Sequence, residues 1–239
     1  SDCKDWLKKQ KRFPRSKPQF VIRVPATLDV NFRGAVSARI SGASGGRVAS
    51  NDCGVVGINR VNGNFTLKGS ELTRFAIQGI QGDLDLRQSG SSRAHINEVA
   101  GDLTGTLEDR SELVLGSVSG AVALSLFGDS HGSIGTLNDD AELETIGASS
   151  LIIDDLQAGA TELKVFGDSD LWVNSGNGEY LTLEIAGASR AHIHGSVEKL
   201  DVESSTDGDV QFKKVETWNV IQDPQKSGKL WINGQNIPP

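Results

Sequence analysis

A period of 19 residues runs through the middle of the chain and limits its fold more than any other feature. Cut before each recurrence, the sequence reads GDLDLRQSGSSRAHINEVA (82–100), GDLTGTLEDRSELVLGSVS (101–119), GAVALSLFGDSHGSIGTLN (120–138) and DDAELETIGASSLIIDDLQ (139–157), each 19 residues long. Two units of 20 follow, AGATELKVFGDSDLWVNSGN (158–177) and GEYLTLEIAGASRAHIHGSV (178–197), then shorter copies at 198–215 and 216–234. Upstream, 63–81 fits the template and 28–62 fits it loosely. A repeat this short cannot bury its own apolar side, so neighbouring units must stack and share a core.

Stacking the units produces columns. One reads Leu67, Leu86, Gly105, Leu124, Leu143, Leu163, Leu183, Val202, Val220, a second Ile77, Ile96, Leu115, Ile134, Ile153, Val173, Ile193, Phe212, Ile232, and a third Ile80, Val99, Val118, Leu137, Leu156. Apolar and polar columns alternate with period two, which predicts two or three short strands per unit with alternate side chains entering one core. The expected fold is all-β: a single-stranded parallel β-helix of 19-residue coils at residues 28–239, right-handed by the usual twist. The pentapeptide SRAHI, at 92–96 and again at 189–193, marks equivalent positions five coils apart. At roughly 4.8 Å per coil, His95 and His192 lie too far apart to share a metal.

Two residues before each of Ser92, Ser130, Ser149, Ser169 and Ser189 stands a glycine: Gly90, Gly128, Gly147, Gly167, Gly187; Asp109 precedes Ser111 in the same way. That position suits a corner needing positive φ, which glycine adopts freely and aspartate tolerates. The serine shares the parity of the inward columns, so a buried ladder of hydroxyls donating from coil to coil is expected, which satisfies groups otherwise buried unpaired. No G-x-S-x-G elbow accompanies these serines, and their repetition reads as architecture rather than as a nucleophile.

Charge is unevenly placed. Of 24 basic and 31 acidic residues, eight basic and two acidic ones fall in residues 1–23, leaving 16 and 29 for the rest. An acidic body disfavours nucleic acid as a partner. The basic start places Cys3, Trp6, Leu7 and Gln10 at helical spacing, and residues 1–27 are expected to cap the open N-terminal end of the stack. The two cysteines, Cys3 and Cys53, fit one disulfide holding that cap, although two free thiols in a reducing compartment would give the same count. No apolar run is long enough to span a bilayer. The absence of methionine fits a processed mature form or a trimmed chain, from which any export signal would already be gone.

Three surface features bear on function. An outward row offers Asp85, Glu142, Glu162 and Asp201, with Glu144, Glu184 and Glu203 two residues on, but Thr104, Ala123 and Thr182 interrupt it and cations are sparse. It reads as a solvated acidic face rather than as the acid–base machinery of a β-helical polysaccharide lyase. Asp139, Asp140, Asp154 and Asp155 lack the glycine-rich spacing of calcium-binding repeats, so neither a metal nor a cofactor is expected. The third is an outward column running His95, Val114, Ser133, Ile152, Trp172, His192, Gln211, Trp231. Its members Ile152, Trp172 and His192 form a contiguous apolar and aromatic strip, to be covered by the N- or C-terminal segment of the chain itself or to serve as the candidate binding surface for a second copy of the chain or for a cell-surface glycan.

The corner segments SGSSRAHI, IGASSLII, FGDSDLWV and AGASRAHI resemble the head GIN domain family of putative autotransporter adhesins. The resemblance spans most of residues 28–235. It implies a right-handed β-helix on an exported bacterial protein, periplasmic or at the cell surface, acting as a non-enzymatic binding or adhesion module. It brings no catalytic residues. The alternative carried beside it is a carbohydrate-active enzyme of the lyase type.

Overall fold

The computed structural model describes residues 27–239. All regular structure among them is β-strand, joined into one parallel ladder of about 11 coils. Each coil gives one strand to each of two sheets. The first sheet takes Leu28–Phe32, Gly46–Ser50, Phe65–Gly69, Leu84–Gln88, Leu103–Leu107, Val122–Gly128 and Ala141–Gly147 in turn. The second takes Val36–Ile40, Gly54–Val61, Arg74–Ile80, Arg93–Val99, Glu112–Val118 and His131–Leu137. Beyond Gly147 the two merge. Ser150–Gly167, Asp170–Gly187, Arg190–Thr206 and Val210–Gln222 each leave the second sheet, turn a corner and continue as the next strand of the first.

The pairing register reproduces the sequence columns. Partners lie 19 residues apart where the units are 19 long, as in Leu67↔Leu86 and Ile96↔Leu115. They lie 20 apart in the longer units, as in Leu143↔Leu163 and Leu163↔Leu183. The shorter coils at either end pair 18 apart, Leu28↔Gly46 and Val202↔Val220. The extra residue of the longer units goes into the turning corner, where Leu156↔Gly176 and Ala158↔Gly178 stay paired.

Inward columns of leucine, isoleucine and valine make one core along the whole axis. Where Gly105 interrupts the first column, a Cβ built there would lie 2.7 Å from Leu124 Cδ1. The leucine of the next coil fills the gap and keeps the core close-packed there. At the C-terminal end, Leu230–Ile232 and the antiparallel Gln235–Ile237 top the second sheet only. Among the described residues no strand tops the first sheet beyond Gln222, and Trp218, in an inward column over Leu200, is left 42% exposed. At the other end, Cys3, Trp6, Leu7 and Gln10 lie outside the described residues, and with them the expected cap and its bond to Cys53.

The corner glycines Gly90, Gly128, Gly147, Gly167 and Gly187 have φ between 70° and 98°, and Asp109 sits at 62°. Each following serine is buried. The hydroxyls, however, mostly reach carbonyls rather than one another. Ser149 Oγ donates to Leu126 O in the coil below and to Ile146 O, both at 3.2 Å, and Ser189 Oγ to Gly167 O at 3.1 Å. Ser149 and Ser169 make the direct hydroxyl contact, at 3.4 Å. The coil spacing of about 4.8 Å is too long for a continuous hydroxyl chain, so a nearer carbonyl takes its place at Ser130, Ser149, Ser169 and Ser189. Ser92 Oγ and Ser111 Oγ have no partner. Ser189→Ala should therefore cost about 1 kcal/mol, whereas Ser111→Ala should be neutral or slightly stabilising; paired urea titrations check the contrast.

A second corner has its own ladder. Asn64, Asp83, Asp102, Ala121, Asp140 and Ala160 occupy one column just ahead of the first sheet. Asn64 Oδ1 accepts from Asp83 N at 3.0 Å, Asp83 Oδ1 from Asp102 N at 3.1 Å, Asp102 Oδ1 from Ala121 N at 2.9 Å and Asp140 Oδ1 from Ala160 N at 2.7 Å. Each side chain thus supplies an acceptor for an amide of the next coil. At Ala121 the acceptor is missing, and Asp140 N turns to Asp139 Oδ1 at 2.8 Å instead.

Candidate contact surface

The outer face of the second sheet carries the column His95, Val114, Ser133, Ile152, Trp172, His192, Gln211, Trp231 in unbroken register. Period-two alternation turns it outward because its neighbours along each strand, Leu151 and Ile153 or Leu171 and Val173, are buried. Ile152 is 40% and Trp172 39% exposed. Trp172 and His192 stack with ring centroids 4.2 Å apart and planes 14° off parallel, and His192 Nδ1 meets Gln211 Oε1 at 3.4 Å.

That stacking fixes how the rings are presented. The two residues are ladder partners, so the centroid line follows the solenoid axis and both ring planes lie across it. One face of Trp172 is covered by His192, and the other is turned toward its ladder partner Ile152. The ring edges meet solvent. A pyranose stacks on the open face of an aromatic ring, and His192 occupies one face of Trp172; an apolar ridge of ring edges and a methyl-bearing side chain suits a macromolecular surface.

The ridge is flanked by charges already paired within the face. Arg190 Nε holds Asp170 Oδ1 at 2.8 Å, and Arg93 pairs with Glu112. His131 Nδ1 and Ser150 Oγ lie 2.7 Å apart, and Asn174 Nδ2 donates to Asp154 Oδ1 at 2.9 Å.

The acidic row lies on the first sheet, with Thr104, Ala123, Glu142, Glu162, Thr182 and Asp201 in one column and Glu144, Lys164, Glu184 and Glu203 in the next. Lys164, which the column reading passed over, stands between Glu144 and Glu184. Its ammonium is 2.7 Å from Glu162 Oε1 and 3.9 Å from Glu142 Oε1. The hydrogen bond to Glu162, then the charge of that carboxylate, raise its pKa above the usual lysine value, which ties it down as a counter-ion rather than freeing it as a base. Tyr180 Oη donates to Asp201 nearby. A shallow hollow of about 460 Å³ floored by Ala121, Ala123 and Ala160 sits beside this row, rimmed by Asp102, Asp140, Glu142 and Glu162. Its rim repels the carboxylates of a polyuronate, the substrate class a lyase would need.

The aspartates weighed as a cation site do not converge. Asp155 stands over Thr136, and Asp140 lies under Ala160. Asp155 Oδ1 accepts from Gln157 Nε2 and Ser175 Oγ. Among the described residues no three His, Cys, Asp or Glu gather as metal ligands, and no helix is long and apolar enough to cross a membrane.

Neither a curated protein nor a solved structure matches the chain. Residues 134–236, a stretch that includes Ile152, Trp172, His192 and the Asp170–Arg190 pair, match the family model described as putative auto-transporter adhesin, head GIN domain.

Proposed function

We propose that the chain is a non-enzymatic, exported binding module of the adhesin type, and that it makes contact through the outer face of its second sheet at Ile152, Trp172 and His192. The observation that carries this reading is the edge-on stack of Trp172 and His192 beside exposed Ile152 on a flat sheet. The description of the family matched at residues 134–236 supports it. Flatness and edge-on rings favour a protein or cell-surface partner over a single glycan chain lying on a ring face. The acidic rim of the first-sheet hollow weighs against a lyase.

Trp172→Ala should weaken adhesion of the immobilised chain to cells at least about tenfold, the loss of an aromatic anchor, while leaving the melting temperature nearly unchanged. Full adhesion by the variant would remove the strip from function. A glycan array and an assay for unsaturated uronate products on the same preparation test the alternatives, and turnover of a polyuronate would replace this reading with the lyase one.

Export also fits a Cys3–Cys53 bond tying the basic start to the stack, Cys53 being buried just ahead of strand Gly54–Val61. Unfolded, unreduced protein should give no thiol labelling. Two labelled cysteines would exclude the bond.

A further inference from the structure

We propose that the outer face of the second sheet joins two copies of this chain, strip against strip, about a two-fold axis parallel to the solenoid. The inference rests on the reading above that this face is a contact surface, and it names the partner.

A two-fold contact requires a patch that tolerates its own copy. The first sheet fails that test. From Ala141 onward its outer rows carry Glu142, Glu144, Glu162, Glu184, Asp201 and Glu203 against Lys164, and two such faces repel. On the second sheet Asp170 and Arg190 neutralise each other, as do Arg93 and Glu112. Of the two sheets, this one can therefore meet itself in an otherwise acidic protein.

The proposed axis maps each rung onto the same rung of the partner and exchanges the two edges of the face. Ile152 and Trp172 then lie against their own copies, Asp170 comes opposite the partner's Asn174, and Ser150 opposite the partner's Asp154. The aspartates thus meet amide or hydroxyl rather than like charge, and Arg190 comes opposite the partner's His194. Gly116 and Gly135, two residues along the strand from Val114 and Ser133, carry no side chain to hold the sheets apart there.

The extent of the face is adequate. The eight rungs from Arg93–Val99 to Leu230–Ile232 span roughly 38 Å and a seven-residue strand roughly 23 Å. The product, roughly 900 Å², matches the ~800 Å² per partner of a standard stable interface.

Light scattering and sedimentation equilibrium on the full chain test the proposal. Wild type should show twice the chain mass at micromolar concentration. Trp172→Ala should raise the dimer Kd at least about tenfold, as loss of a central aromatic anchor does, and Ile152→Thr should do so if the tryptophan variant folds poorly. Ile221→Ser, at the exposed C-terminal end of the first sheet, should leave the dimer unchanged. A monomeric wild type overturns the proposal, as does a dimer weakened by Ile221→Ser and not by either strip variant. The two readings separate cleanly. A monomer whose adhesion still depends on Trp172 overturns the dimer and keeps the contact surface, whereas a dimer split by Trp172→Ala with adhesion intact supports the dimer and removes the strip from adhesion.

Discussion

Gly147→Val should lower stability by about 2–4 kcal/mol, the sum of two separable penalties. The backbone at Gly147 has φ +98°, a conformation β-branched residues essentially never adopt. A Cβ there would also lie 2.9 Å from Gly128 O. That carbonyl accepts the hydrogen bond of Ala148 N at 2.7 Å, so it cannot move aside without breaking the ladder at the corner. Ser149, two residues on, would lose its geometry toward Leu126 O and Ile146 O as well. The control is Gly57→Ala. Gly57 is outward-facing, has no positive φ, and a Cβ there meets nothing within 4 Å, so the change should stay within about 0.5 kcal/mol. Chemical denaturation of both variants checks the pair, and a Gly147→Val protein as stable as wild type would show that the corner relaxes freely.

Leu163→Ala should cost about 2–5 kcal/mol, the range for emptying a buried leucine site. Leu163 is fully buried and stands midway in the first core column, between Leu143 and Leu183. Collapse into the space is restrained because both neighbours are fixed by paired backbone above and below. In a stack stabilised by nearest-neighbour contacts the loss also weakens the coupling between the two halves. Hydrogen exchange should rise on both sides of the site, and the denaturation curve should broaden if the halves begin to open separately. A sharp transition with unchanged midpoint would contradict the packing described.

Much of the fold was legible because one repeated unit states the same constraint many times. Any single stretch such as LTLEIAG is ambiguous, but six leucines, two valines and one glycine at the same offset leave no other register. The corner glycines were legible for a similar reason, since positive φ restricts residue choice. The Asn64–Asp83–Asp102 ladder was not read, although the Gly-Asp pairs opening the units at 82 and 101 mark it. A carboxylate that accepts from a backbone amide looks in sequence like any solvated turn aspartate. Lys164 does not stand out in the sequence because its column is otherwise acidic, and a single cation matters only once its distance to Glu162 is known. The edge-on presentation of Trp172 is also invisible in one dimension: parity places the ring outside, while only stacking against His192 decides whether its face or its rim is offered.

The equal register of the 19-residue coils has a consequence for how such a chain can change over time. Residues 82–100 and 120–138 present the same inward columns at the same offsets, so the unit between them, 101–119, resembles a removable tile: its excision would bring Ile96 under Ile134 and Val99 under Leu137, pairs the core already accommodates elsewhere. Duplication works equally well. The distance between the two ends of the stack is then a heritable dimension adjustable in steps of roughly 4.8 Å, independent of the strip at Trp172. A solenoid built this way can lengthen or shorten without changing the faces of the coils it keeps.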